Sequence, residues 1–304
     1  MTSVTILDGG MGRELNRIGA PFRQPEWSAL ALMQAPDFVT RVHQSFIDAG
    51  ADVITTNSYA VVPFHIGDEE FAKRGADLIA LSGKLARDVV NNAGRHVLVA
   101  GSIPPVMGSY RPDLFDVDAA RPMITAMIEN LESYVDIWLA ETISSLVEAR
   151  LILQILSERK NTKPVWIAFT IFDHGADATA PEKAMLRSRE GVGQVVQSIS
   201  NDAQISAILF NCSQPEEMTA AVTRAGQVLG NNKDIAIGAY ANAFPAVPED
   251  AEANAGITEE RVEITPGRYR EFCAEWVDAG AIIIGGCCGI GPDHISELAR
   301  HFKN

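Results

Sequence analysis

Three cysteines stand in a pattern that suits a metal. Residues 281–291 read AIIIGGCCGIG, with Cys287 and Cys288 adjacent and boxed by glycines, while Cys212 ends the run ILFNC. Successive side chains of a strand point to opposite faces, so the adjacent pair can serve one centre only from a turn. Gly285, Gly286, Gly289 and Gly291 supply it, because glycine accepts backbone angles closed to other residues. Three thiolates plus an open fourth position form a catalytic zinc arrangement, whereas a structural zinc is usually closed by four protein ligands. Two other readings are buried thiols or a reversible disulfide between Cys287 and Cys288. The disulfide needs a strained ring and leaves Cys212 without a role, so the residues favour one zinc ion per chain. Cys273, in TPGRYREFCAEWV, belongs instead to an apolar helix stripe with Tyr269, Phe272, Trp276 and Val277, where Thr265 caps and Pro266 takes the first helical position. It reads as a small buried hydrophobe.

The other polar residues of interest follow short apolar runs. Asp8 precedes GGMGREL, Thr55, Thr56, Asn57 and Tyr59 follow ADVI, and Glu141 closes VDIWLAE. The histidines add little: His43 falls on a helix stripe as a satisfied core residue, and His294 in PDHISEL reads as helix surface. No phosphate-binding G-x-x-x-x-G-K-[ST] occurs, and Leu15 stands where a dinucleotide loop opened by Gly10 and Gly12 would need its third glycine.

Eight apolar, β-branched runs, at residues 4–7, 53–55, 97–100, 135–139, 165–169, 205–210, 235–239 and 282–284, alternate with stretches of helical periodicity such as Phe38, Val39, Val42, Phe46 and Ile47. Continuous apolar strands separated by helices imply a parallel sheet buried on both faces, and eight units favour a closed (β/α)8 TIM-type barrel over an open sheet. At 304 residues one such domain, residues 1–304, accounts for the chain. Segments entering strands are short, as in ERKNTKP and GNNKD. Those leaving strands three, five and seven are long: GSIPPVMGSYRPDLFD, TIFDHGADATAPEKAMLRSRE and YANAFPAVPEDAEANAGITEE. Long loops on one face place an active site at the carboxyl ends of the strands, the rim where Asp8, Glu141, Cys212, Cys287 and Cys288 all fall.

Composition limits the partners. A net charge of −14 argues against nucleic acid or an anionic membrane surface, since both need a basic face. No basic-then-apolar leader opens residues 1–30, no apolar run approaches the ~18 residues of a membrane span, and four cysteines in so long a chain do not make a disulfide framework. A cytoplasmic protein acting on small molecules is expected.

The segments ILDGGMGREL, GADVITTNSYAV, Glu141-Thr142, Asn211-Cys212 and GAIIIGGCCGIGPDHI together resemble the zinc-dependent homocysteine S-methyltransferase family, in order and over nearly the whole chain. Two stretches depart from it: Tyr240-Ala241-Asn242-Ala243-Phe244, where members often carry Tyr-Pro-Asn-Ser-Gly, and residues 172–186. The resemblance implies that Cys212, Cys287 and Cys288 hold zinc and that homocysteine thiol becomes the fourth ligand, bound as thiolate. It implies that Asp8 and Glu141 are the catalytic carboxylates and hold the amino group, with the Gly9 backbone helping to place the carboxylate. Asn211 and Asn242 count among its substrate-binding residues. Trp27 and Tyr59 match positions lining the donor pocket of the betaine-using branch.

Methyl transfer to sulfur is a displacement whose leaving group should depart neutral, so the donor arrives as an onium ion, which aromatic faces attract. No corrinoid or folate module fits the length, so S-methylmethionine or S-adenosylmethionine comes first, with dimethylsulfoniopropionate or betaine next. Ordinary alternatives are a turn cap for Asp8, a rim salt bridge for Glu141, and core or lid packing for Trp27 and Tyr59. A zinc-storage or redox-sensing barrel would use the same thiols but would not require the two carboxylates.

Overall fold

The computed structural model describes residues 4–173, 180–246 and 259–303. Eight parallel strands form the expected barrel: β1 (Thr5–Ile6), β2 (Val53–Thr55), β3 (Leu98–Ile103), β4 (Ile137–Ile143), β5 (Val165–Phe169), β6 (Ile205–Asn211), β7 (Ala236–Tyr240) and β8 (Ile283–Ile284). Each strand pairs in parallel with the next through β2–β8, and β8 pairs with β1. The remaining seam, between β1 and β2, rests on a bridge of Leu7 with Val53 and on the Asp8 N–H donating to Val53 O at 3.0 Å. Asp52 stitches the same seam, since its carboxylate accepts the Ile6 N–H at 3.0 Å and the Lys303 ammonium at 2.5 Å.

Helices α1 (Met11–Arg17), α2 (Ser28–Gln34), α3 (Pro36–Asp48), α4 (Pro63–Ile66), α5 (Asp68–Asn91) and α6 (Val117–Leu131) accompany the first half. The second half carries α7 (Leu146–Glu158), α8 (Val192–Ile199), α9 (Pro215–Leu229), α10 (Pro266–Asp278) and α11 (Pro292–Phe302). Alternate strand residues, among them Ile137, Leu139, Trp166, Ala168, Ala207 and Leu209, fill the barrel interior, and their neighbours pack outward against helices. Both faces are therefore apolar, which is why the strands read as continuous hydrophobic runs. Local signals hold as well: the Ser145 hydroxyl accepts the Glu148 N–H in a capping box on α7, and Thr265 caps α10 ahead of Pro266. Cys273 is fully buried on α10. Among the described residues no helix is long and apolar enough to cross a membrane.

Two details differ from expectation. The fourth strand starts later and runs to Ile143, so Glu141 lies within β4 rather than after it; a register irregularity between Ala140 and Ile143 lets pairing resume with Phe169. His43 is buried on α3 as expected, yet neither ring nitrogen has a hydrogen-bond partner. Desolvation alone pushes its pKa from 6.5 down to about 4. Between those values the unfolded chain binds a proton that the folded chain refuses, so stability falls as pH drops, by roughly 2 kcal/mol at pH 5. Replacing His43 with Leu should remove this slope. Urea unfolding at pH 7 and pH 5 would read it, and an unchanged slope in the variant would show that other groups cause the acid loss.

Candidate active site

The sulfurs meet because two strand ends and one glycine turn bring them together. Cys212 follows β6 directly in a left-handed conformation with φ 49°, and its N–H donates to Tyr240 O at 3.2 Å. The turn after β8 is laced to both flanking loops: Gly286 N–H donates to Asp8 O, Cys287 N–H to Ala241 O, and Ala243 N–H to Cys288 O, at 2.9, 2.9 and 2.8 Å. Gly289 sits at φ +81°, and a Cβ on Gly9 would lie 2.1 Å from Ile290 O, so side chains at either place would push the turn away. One ligand atom from each of Cys212, Cys287 and Cys288 lies within 4.8 Å of the others, with Cys212 and Cys288 Sγ 4.0 Å apart. All three are free thiols.

Cys212 is the sulfur that gives up its proton first. Hydrogen bonds from Cys287 and Cys288 hold its pKa well below the ordinary thiol range, overcoming desolvation, and Tyr110 and Asn242 add to them. The Tyr110 hydroxyl lies 3.0 Å from Cys212 Sγ, and Asn242 Nδ2 lies 4.0 Å from it. Interaction with Cys212 and burial push Cys287 and Cys288 up in turn.

Beside the sulfurs lie two buried carboxylates. Asp8 accepts the Thr55 N–H at 2.7 Å and the Thr55 hydroxyl at 3.0 Å, yet burial still raises its pKa to about 8. Glu141 accepts the Ser102 hydroxyl at 2.5 Å and the Tyr240 hydroxyl at 3.4 Å, and burial raises it to about 7, with the charge of Cys212 adding to the rise. Neither forms an ion pair among those found in the described residues, so the pair is poised to receive a cation such as an ammonium group.

An aromatic wall completes the pocket. Trp27 meets Tyr59 edge-on at 6.4 Å and stacks on His65 at 5.9 Å, while His65 Nδ1 bonds Pro25 O at 2.9 Å. Tyr59 and Ser109 hydroxyls are 2.6 Å apart. Asp8, Gly9, Trp27, Tyr59, Glu141 and the three cysteines all line this one pocket. Asn211 and Asn242 are not among the residues that line it. Asn211 accepts the Thr142 N–H at 2.9 Å and donates to its hydroxyl at 3.0 Å, while Asn242 accepts the Phe244 N–H at 3.1 Å and faces Cys212. Both amides are occupied holding the walls in place. Sequence reasoning missed Arg13, His65, Ser102, Tyr110 and Tyr240; of these, Tyr110 was signalled by its place in the long loop after β3. His294 is not a ligand either, since Nε2 bonds Ile264 O at 2.9 Å. Four of the non-glycine residues with positive φ, Trp27, Tyr110, Thr142 and Cys212, line this same pocket.

A sequence profile described as homocysteine S-methyltransferase matches residues 5–302. Homocysteine S-methyltransferase 1 of Brassica oleracea var. italica is 28% identical, with 98% of this chain and 93% of the relative aligned. Homocysteine S-methyltransferase YbgG of Bacillus subtilis (strain 168) is also 28% identical, over 97% and 93%. The metallated form of the homocysteine methyltransferase MmuM from Escherichia coli superposes with a TM-score of 0.77 at 26% identity, covering 98% of this chain and 96% of that one. The chain therefore belongs to the homocysteine S-methyltransferase family, and it is a methyltransferase.

Proposed function

We propose that this protein transfers a methyl group from a small onium donor to the thiol of L-homocysteine, forming methionine, with one zinc ion held by Cys212, Cys287 and Cys288. One observation carries the reading: three gathered sulfurs share a pocket with two buried carboxylates that form no ion pair among the described residues. The donor set fits zinc, because soft thiolates select it and the 4.0 Å between Cys212 and Cys288 Sγ is close to the roughly 3.8 Å expected of sulfurs ~2.3 Å from one tetrahedral ion. When bound, the metal supplies a positive charge that favours the thiolate form of an acceptor thiol.

The chain's own residues do the rest. Asp8 and Glu141 bind the ammonium of homocysteine, which restores their charged forms, and the Gly9 backbone helps to place its carboxylate. Tyr110 and Asn242 stabilise Cys212 as a thiolate. Trp27 and Tyr59 hold the onium cation against their ring faces and shield it from water. The acceptor sulfur then forms its bond to the methyl carbon as the bond to the donor heteroatom breaks, and the donor leaves neutral. S-Methylmethionine and S-adenosylmethionine are the first candidates. The test is methionine formation from homocysteine with each purified donor, and no product with any onium donor overturns the reading.

Two variants separate the roles. Cys288→Ser should lose zinc and all but a trace of methyl transfer while keeping its far-ultraviolet dichroism, because the barrel buries ample apolar surface without metal. A chelator should inactivate the native protein reversibly, with activity restored by zinc. Unfolding of the metal-free chain would show that the ion also holds the fold. Glu141→Gln keeps the hydrogen bond from Ser102 but removes the charge; it should raise the homocysteine KM by about tenfold or more, with zinc content unchanged. Loss of zinc in this variant would move Glu141 into the metal site.

A further inference from the structure

Three buried hydroxyl residues form a closed hydrogen-bond circuit behind Glu141: Thr56, Ser58 and Ser102. Neither Ser58 nor Ser102 is among the residues lining the pocket. The Ser102 N–H donates to Thr56 Oγ1 at 3.0 Å, and the Ser58 hydroxyl donates to Ser102 O at 3.0 Å. The Thr56 and Ser58 hydroxyl oxygens lie 2.9 Å apart. A hydroxyl has one proton to give, and that of Ser58 goes to Ser102 O, so the Thr56 hydroxyl is the donor to Ser58 Oγ. Donation therefore runs in one sense, from the Ser102 N–H through Thr56 and Ser58 back to Ser102 O.

The circuit exists because β2 is short. Its ladder with β3 ends where the Thr56 N–H donates to Ala100 O at 2.9 Å, and the chain then enters a turn at residues 57–60. The next β3 groups on that side, the N–H and C=O of Ser102, would be buried without partners, and the two side-chain hydroxyls stand in for the missing strand. The Ser102 backbone is thereby fixed at both its donor and its acceptor. Its own hydroxyl takes no part in the circuit and donates to Glu141 Oε1 at 2.5 Å, while Glu141 Oε2 is held more loosely, by the Tyr240 hydroxyl at 3.4 Å. One carboxylate oxygen is clamped and the other is left to the pocket. The residue before the circuit, Thr55, holds Asp8 through its N–H and hydroxyl, so residues 55–58 brace both carboxylates at once.

We propose that Ser102 is a positioning residue for the acceptor's ammonium group: it aims the Glu141 carboxylate, and the circuit through Thr56 and Ser58 holds Ser102 in place to do so. This rests on the reading above, in which Asp8 and Glu141 bind the ammonium of homocysteine. A carboxylate free to rotate loses orientational freedom when the ammonium arrives, whereas one already held by Oε1 does not. Ser102 is buried behind Glu141 and touches no substrate, so its effect passes through that carboxylate and falls only on ligands that carry an ammonium group.

The test compares L-homocysteine with 4-mercaptobutanoate, which keeps the thiol and the carboxylate but lacks the amino group. Binding of each to the zinc-loaded wild type, to Ser102→Ala, to Glu141→Ala and to the double variant is measured by titration calorimetry. The wild type should bind homocysteine about tenfold or more tighter than the analogue. Ser102→Ala should weaken homocysteine by about tenfold and leave 4-mercaptobutanoate within about twofold. In the Glu141→Ala background the same change should cost less than about twofold, because nothing is left for Ser102 to aim. Ser58→Ala opens the circuit without touching Glu141; it should weaken homocysteine alone by about threefold, and it decides the question if Ser102→Ala does not fold. Equal losses on both thiols overturn the proposal, as do an unchanged preference for homocysteine in Ser102→Ala or Ser58→Ala, additive losses in the double variant, or a wild type that binds the two thiols alike. Homocysteine bound with this Ser102-dependent preference but methylated by no onium donor leaves the assignment standing and removes the proposed function. Methionine formation without the preference does the reverse.

Discussion

Five acidic groups share one largely buried pocket, Asp8, Glu141, Cys212, Cys287 and Cys288, and the cost of keeping charge there governs the rest of the structure. A carboxylate or thiolate taken out of water either finds donors or keeps its proton. The pocket does both. Cys212 collects donors from Cys287, Cys288, Tyr110 and Asn242 and ionises early, whereas Asp8 and Glu141 have too few donors to offset burial and titrate near neutrality. Protons thus stand where cations belong in the proposed reaction, and they leave when those cations arrive.

Such an arrangement needs a scaffold that does not relax. A pocket free to move would let the acids separate or water enter, and either change would erase the perturbation. The barrel prevents it by anchoring each acid at or beside a strand end: Asp8 beyond β1, Glu141 within β4, Cys212 beyond β6 and the cysteine pair beyond β8. Local strain is tolerated in return. Thr142 and Cys212 hold positive φ, which costs of order 1–3 kcal/mol each, because the Asn211 side chain fixes the first and the Tyr240 carbonyl the second. Asn211 therefore matters to the site without facing it.

Some of this was legible in the sequence, and the reason differs by residue. The strands could be read because burial on both faces leaves an unbroken apolar run, and the cysteine turn because glycines crowd around thiols in few other settings. Asp8 and Glu141 stood out as carboxylates next to buried segments. Ser102 and Tyr240 gave no such signal: each is an ordinary strand residue whose role appears only when its strand lies near the one bearing Glu141. Register between strands distant in sequence is not written in either strand alone. The same gap covers Asn211 and Asn242, which only the family resemblance marked: neither strand alone shows that their hydrogen bonds go to Thr142, Phe244 and Cys212. His43 was placed correctly by helical periodicity, yet periodicity carries no information on whether its nitrogens find partners.

The chemistry proposed for the pocket follows from its incompleteness. Zinc offsets part of the negative charge of three thiolates, and an amino acid's ammonium offsets Asp8 and Glu141, so each ligand removes a repulsion that opposes the next. An onium donor approaching before either would meet Asp8 and Glu141 largely protonated below about pH 7, with only Cys212 strongly favouring its charged form. In the proposed reaction an acceptor bound first leaves both carboxylates charged but paired. The attraction that remains for the donor's cation is then the ring faces of Trp27 and Tyr59 together with the residual negative charge around the sulfurs. Both act at the reacting end of the donor, where binding energy spent on position counts most toward displacement.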